Sequence, residues 1–145
     1  MKNVNFLTFL TMVLGVFILI SCKKEENDSN QENQNQKIEG KWDAGPIVVD
    51  IKGSNGYFTE IKSGNWLNMM NLGHIKLGDR KHRNISFESG NKWNMEDLWG
   101  DTSGELRWTT EATLELSENG QELTVSSVSP FTGNPAQPYT MTRIE

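Results

Sequence analysis

Ile47-Val48-Val49-Asp50-Ile51-Lys52, then Gly53-Ser54-Asn55-Gly56, then Tyr57-Phe58-Thr59-Glu60-Ile61-Lys62, is the stretch that decides the fold. Ile47, Val49 and Ile51 alternate with Val48, Asp50 and Lys52. A period of two places alternate side chains on opposite faces of an extended chain, and β-branched residues favour that conformation. The glycine-rich punctuation turns the chain back, so Tyr57 to Lys62 reads as the return strand of an antiparallel hairpin. Such a hairpin is marginal alone and needs further strands to bury its apolar face.

Those strands follow. Ile75 with Leu77 and Ile85 with Phe87 continue the alternation; Trp93, Met95 and Trp99 share one face, Leu106 and Trp108 another. Ala112, Leu114 and Leu116 lead to Glu118-Asn119-Gly120, whose Asn-Gly pair predicts a type I′ turn. Leu123 to Val125 and Tyr139 to Met141 bring the count to eight or nine short strands, an antiparallel all-β sandwich or barrel. One segment departs from the period. In Trp66-Leu67-Asn68-Met69-Met70-Asn71-Leu72-Gly73 the apolar residues fall at helical spacing, and Gly73 is placed to end a helix, so a single helical turn is expected over one end of the sheet. Its methionines suit either a core plug or an adaptable lid.

Upstream, Lys2 precedes Val4 to Ile20, 17 residues that are apolar except for Asn5, Thr8 and Thr11. This is a secretory h-region, at the lower limit for spanning a hydrocarbon core of ~30 Å. Leu19-Ile20-Ser21-Cys22 resembles the bacterial lipobox, which implies that Cys22, the only cysteine, becomes a lipidated mature N-terminus anchored to a membrane. Lys23 to Gln36 contains no apolar residue and reads as a disordered tether. Its opening Lys23-Lys24-Glu25-Glu26 resembles an export tag of surface-displayed outer-membrane lipoproteins and also fits a merely solvated linker. The expected organisation is a signal peptide over residues 1–21, lipidated Cys22 and tether over 22–37, and one domain over 38–145.

Gly40-Lys41-Trp42 at the start of that domain resembles the G-x-W of the calycins, the lipocalin and fatty-acid-binding barrels, and Thr142-Arg143-Ile144 resembles the closing T-R-x of the fatty-acid-binding branch. The resemblance implies a small antiparallel up-and-down barrel of about eight strands. In it Gly40, Trp42 and Arg143 serve closure, with the guanidinium over the indole, and a small apolar ligand occupies the interior. The domain has no disulfides and no two-helix insertion after its first strand, both common in parts of that group.

Charge and spacing narrow the chemistry. The chain carries 14 basic and 19 acidic side chains; loss of Lys2 with the leader leaves a formal charge of −6. Phosphate binding needs a basic stripe, and the only dense basic run, Arg80-Lys81-His82-Arg83 after Gly78-Asp79, reads as a turn, so no nucleic-acid partner is expected. His74 and His82 fall in separate β segments without zinc-ligand spacing. Asp97, Asp101 and Glu105 flank the Gly100-Gly104 turn without calcium-loop spacing. Neither a metal, a cofactor nor a catalytic constellation is expected.

All five tryptophans lie in the domain. With Trp42 assigned to closure, Trp66, Met69, Met70 and Trp108 are the candidate ligand-binding residues, since large aromatics serve both cores and apolar pockets. The expectation is a non-enzymatic, lipid-anchored outer-membrane binding protein. Its alternative is an accessory lipoprotein with a solid barrel that engages a protein partner or inhibits a target.

Overall fold

The computed structural model describes residues 31 and 33–145; the expected signal peptide, Cys22 and the expected tag after it lie outside the described residues. From residue 34 on, the chain forms eight strands: β1 (Gly40–Asp43), β2 (Ile47–Lys52), β3 (Asn55–Ile61), β4 (Arg80–Ser89), β5 (Lys92–Gly100), β6 (Leu106–Leu116), β7 (Glu122–Ser127) and β8 (Tyr139–Arg143). Each pairs antiparallel with the next, and β8 returns to β1, so the sheet is a closed up-and-down barrel. The helix α1 (Gly64–Asn71) follows β3.

Strict alternation of strand direction sorts the connections to two ends. Gly53-Ser54, Gly90-Asn91 and residues 117–121 turn at one end, where the chain also enters at Ile38 and leaves after Arg143. The β1–β2 link, α1, the loop over residues 101–105 and the long β7–β8 connection gather at the other. Between them Ile47, Val49, Ile51, Phe58, Trp93, Leu114, Leu123 and Met141 form one buried cluster. The β2 alternation therefore faces the interior as its period requires.

The entry end is stoppered by one constellation. Trp42 is fully buried, donates Nε1 to Ile38 O at 2.8 Å and lies directly opposite Arg143 across the β1–β8 pair. The guanidinium sits 4.3 Å from the indole centre. It also donates to three backbone carbonyls: Nε to Gly120 at 3.0 Å, Nη1 to Glu39 at 2.8 Å and Nη2 to Lys37 at 2.7 Å. Gly40, at φ +121°, has to be glycine, because a Cβ there would run into the Glu145 carbonyl oxygen and stand 3.3 Å from Arg143 Nη1.

Several local expectations are corrected. The domain begins before Ile38: residues 33–35 are helical, a 3-10 turn spans Gln36–Ile38, and buried Asn35 donates Nδ2 to Ile85 O at 3.2 Å. The end of the expected tether is thus ordered by hydrogen bonds that its polar composition concealed. Ile75 and Leu77 lie in a loop after α1, where Ile75 is buried and Leu77 exposed, so two alternate apolar residues did not suffice for a strand. His74 shares that loop. Residues 106–116 form one long strand. The turn after it is not type I′: only Gly120 is left-handed (φ +71°), Asn119 is not, and Ser117 N bonds Glu122 O at 2.9 Å around a longer loop. The helix runs eight residues, about two turns, instead of one.

Denaturant melts of Trp42→Ala, Arg143→Ala and the double variant should show a loss of ~3–5 kcal/mol for the tryptophan, a smaller loss for the arginine and a coupling of ~0.5–3 kcal/mol between them. Strict additivity contradicts the closure described.

Candidate functional site

The end opposite Trp42 holds a partly open cavity of about 440 Å³, within the ~300–1,000 Å³ range of small-molecule sites. Trp66 of α1, Ile47 at the start of β2, Leu98 and Trp99 of β5, and Ser127, Ala136 and Tyr139 around the β7–β8 connection form its wall. Lys81 and Asp97 are its charged members. Apolar β residues run out at strand ends, and the helix and long loop rise around the gap.

A β-bulge brings the lysine inside. Gly56 pairs with His82 and Tyr57 with Arg80, so Lys81 is the extra residue on β4, and both Lys81 and His82 are buried. Gly56 permits this close approach: a Cβ there would lie 2.9 Å from Val49 Cγ1 and 3.0 Å from His82 Cδ2. On the neighbouring strand His82 faces Asp97 in register. Lys81 Nζ contacts Asp97 Oδ1 and donates to Leu98 O at 2.8 Å. Its ammonium lies 5.2 Å from the Trp66 ring, which packs on Phe58 with centroids 5.2 Å apart. Asn65 Nδ2 fastens α1 to the end of β5 through Gly100 O and Asp101 O at 3.0 and 3.1 Å.

Burial sets the protonation of this group. Desolvation pulls the Lys81 pKa below its ordinary value against the raising effect of Asp97. Burial alone would raise the Asp97 carboxyl, but Lys81 and His82 beside it hold it below the usual range. The two form an ion pair. Desolvation also lowers His82, against the raising effect of Asp97, keeping the imidazole neutral; its Nδ1 lies 3.0 Å from Asp97 Oδ1, and neither ring nitrogen has a well-formed hydrogen bond among the described residues. Burial, with the Asp97 charge second, pushes Tyr139 well above its ordinary value, so its phenol stays protonated. Tyr139 Oη and Trp99 Nε1 are buried and have no hydrogen-bond partner among the described residues.

Of the four candidates from sequence, the cavity takes Trp66. Met69 is the buried residue of α1 and borders a second pocket of about 370 Å³ with Leu72 and Gly104; Met70 packs on the core. Trp108 lies elsewhere, under the Arg83 guanidinium at 4.1 Å. Lys81, Leu98, Trp99 and Tyr139 were not anticipated as wall residues. The Arg80–Arg83 run is strand, not a turn, and Asp97 is interior, separate from the acidic turn where Asp101 Oδ1 accepts from Ser103 and Glu105 backbone amides at 2.9 and 2.8 Å. Lysine followed by histidine within a β period, with an aspartate in an aromatic strand, was the available signal.

Among the described residues no three potential metal ligands converge, and no helix is long and apolar enough to cross a membrane. Comparisons of the chain with protein families, curated proteins and solved structures find no match.

Because the folded-state pKa of His82 lies below its unfolded value of 6.5, the unfolded chain binds more protons as the pH falls through that value, and stability drops. Asp97, also depressed, adds its loss at lower pH. Denaturant midpoints measured from pH 8 to pH 5 should fall for the parent and flatten for His82→Gln; parallel curves contradict a buried neutral His82.

Proposed function

We propose that this chain is a lipid-anchored extracytoplasmic binding protein of lipocalin-like kind, which holds a small apolar or amphipathic ligand noncovalently in the cavity at the open end of its barrel. The observation that carries this reading is a cavity of about 440 Å³ walled by Trp66, Leu98, Trp99 and Tyr139 at one end of a barrel whose other end is stoppered by Trp42. Large apolar walls with a few buried polar groups are what small-molecule sites offer. Anchoring is supported by the lipobox-like Leu19-Ile20-Ser21-Cys22 behind its apolar leader. Placement at the outer membrane, facing the periplasm or the exterior, is supported by the same leader and by the resemblance of Lys23-Lys24-Glu25-Glu26 to an export tag. Metabolic labelling with a fatty acid should mark the parent and not Cys22→Ser.

An environment-sensitive apolar dye should bind the purified chain with enhanced emission. Ala136→Trp, a substitution at the half-buried cavity rim, should weaken that binding by about tenfold or more while the melting temperature stays near the parent's. Unchanged dye binding in a folded Ala136→Trp variant contradicts a site in this cavity.

A further inference from the structure

Most of what the cavity presents to a ligand is carbon. Lys81 and Asp97, its charged members, expose only 4% and 2% of their side chains. Trp99 and Tyr139 are half-buried wall residues, yet Trp99 Nε1 and Tyr139 Oη are shut away from the surface. The part of these two side chains that lines the cavity is therefore ring carbon. Trp66 adds a third ring to the same wall.

The cavity is also short. Beyond it the barrel is filled by Val49, Phe58, Trp93, Leu114, Leu123 and Met141, all fully buried in one cluster. At roughly 30 Å³ for each water-sized group, about 440 Å³ holds at most ~15 non-hydrogen atoms. A long acyl chain would leave its far part in water, where it gains nothing from burial. The part inside would also lose its bond rotations, a cost that a rigid ring avoids. Aromatic pairs add an attraction beyond the area they bury.

Resting on the cavity-binding reading above, we propose that the ligand is a compact, ring-bearing molecule within that size limit, and that the rings of Trp66, Trp99 and Tyr139 select it over acyl chains.

The test is equilibrium dialysis of the full chain against three alcohols: 2-naphthalenemethanol, undecan-1-ol with the same count of carbon and oxygen atoms, and 1-pyrenemethanol, which exceeds the size limit. The naphthyl ligand should bind at least as tightly as undecanol, although undecanol has more apolar surface to bury, and several-fold more tightly than the pyrenyl one. Trp66→Leu should weaken the naphthyl ligand several-fold and leave undecanol near its parent affinity. If that variant does not fold, the parent series decides alone. Undecanol or the pyrenyl ligand binding more tightly than the naphthyl one, or an equal loss of both smaller ligands in folded Trp66→Leu, overturns this proposal and leaves the cavity reading standing. No binding by any of the three overturns both.

Discussion

The contact between Trp42 and Arg143 is the constraint from which the rest follows. A sheet of eight strands has two edges with unpaired amides and carbonyls unless its first and last strands meet. Here they meet where the guanidinium covers the indole and bonds carbonyls from the entering chain and the β6–β7 turn. This draws the entering segment, the first strand, a distant hairpin and the last strand into one packed unit. It also fills the end of the barrel that it closes. In an up-and-down barrel, whatever room remains lies at the other end, among the longer connections, and the cavity is found there.

The polar group at that open end is costly for a small domain. A buried ion pair usually stabilises less than apolar side chains of similar volume, because both partners lose water. His82, with neither nitrogen bonded, and the unpartnered Tyr139 and Trp99 add to the cost. Buried polar groups without partners are few in native structures, and each asks for an explanation. Four of the residues involved, Lys81, Asp97, Trp99 and Tyr139, line a cavity of about 440 Å³ at this end of the barrel.

Much of the barrel was legible in the sequence because its physics is local. Alternation in Ile47–Lys52, the turn glycines and the apolar spacing from Trp66 each report a period that neighbouring residues carry. The closure motif was legible only through resemblance, since nothing local tells Trp42 that Arg143 will lie across from it. The cavity was mostly hidden. A bulge turns Lys81 inward and defeats the period-of-two reading, so a buried lysine and histidine looked like part of a basic turn. Loop residues such as Ile75 and Leu77 imitated a strand because two alternate positions cannot distinguish one from coil. Met69 and Trp108 lie outside this cavity's wall; aromatic and flexible apolar side chains suit a core as well as a site, and nothing local separates the two.

The most direct test of the account is a native mass spectrum of the protein purified gently from its own cells, compared with the denatured mass of the same sample. A barrel stoppered at one end and hollow at the other should fly with a small apolar or amphipathic molecule bound, lost on denaturation. A single protein mass in both conditions, together with failure of the protein to take up any amphiphile added afterwards, would contradict a ligand-holding cavity.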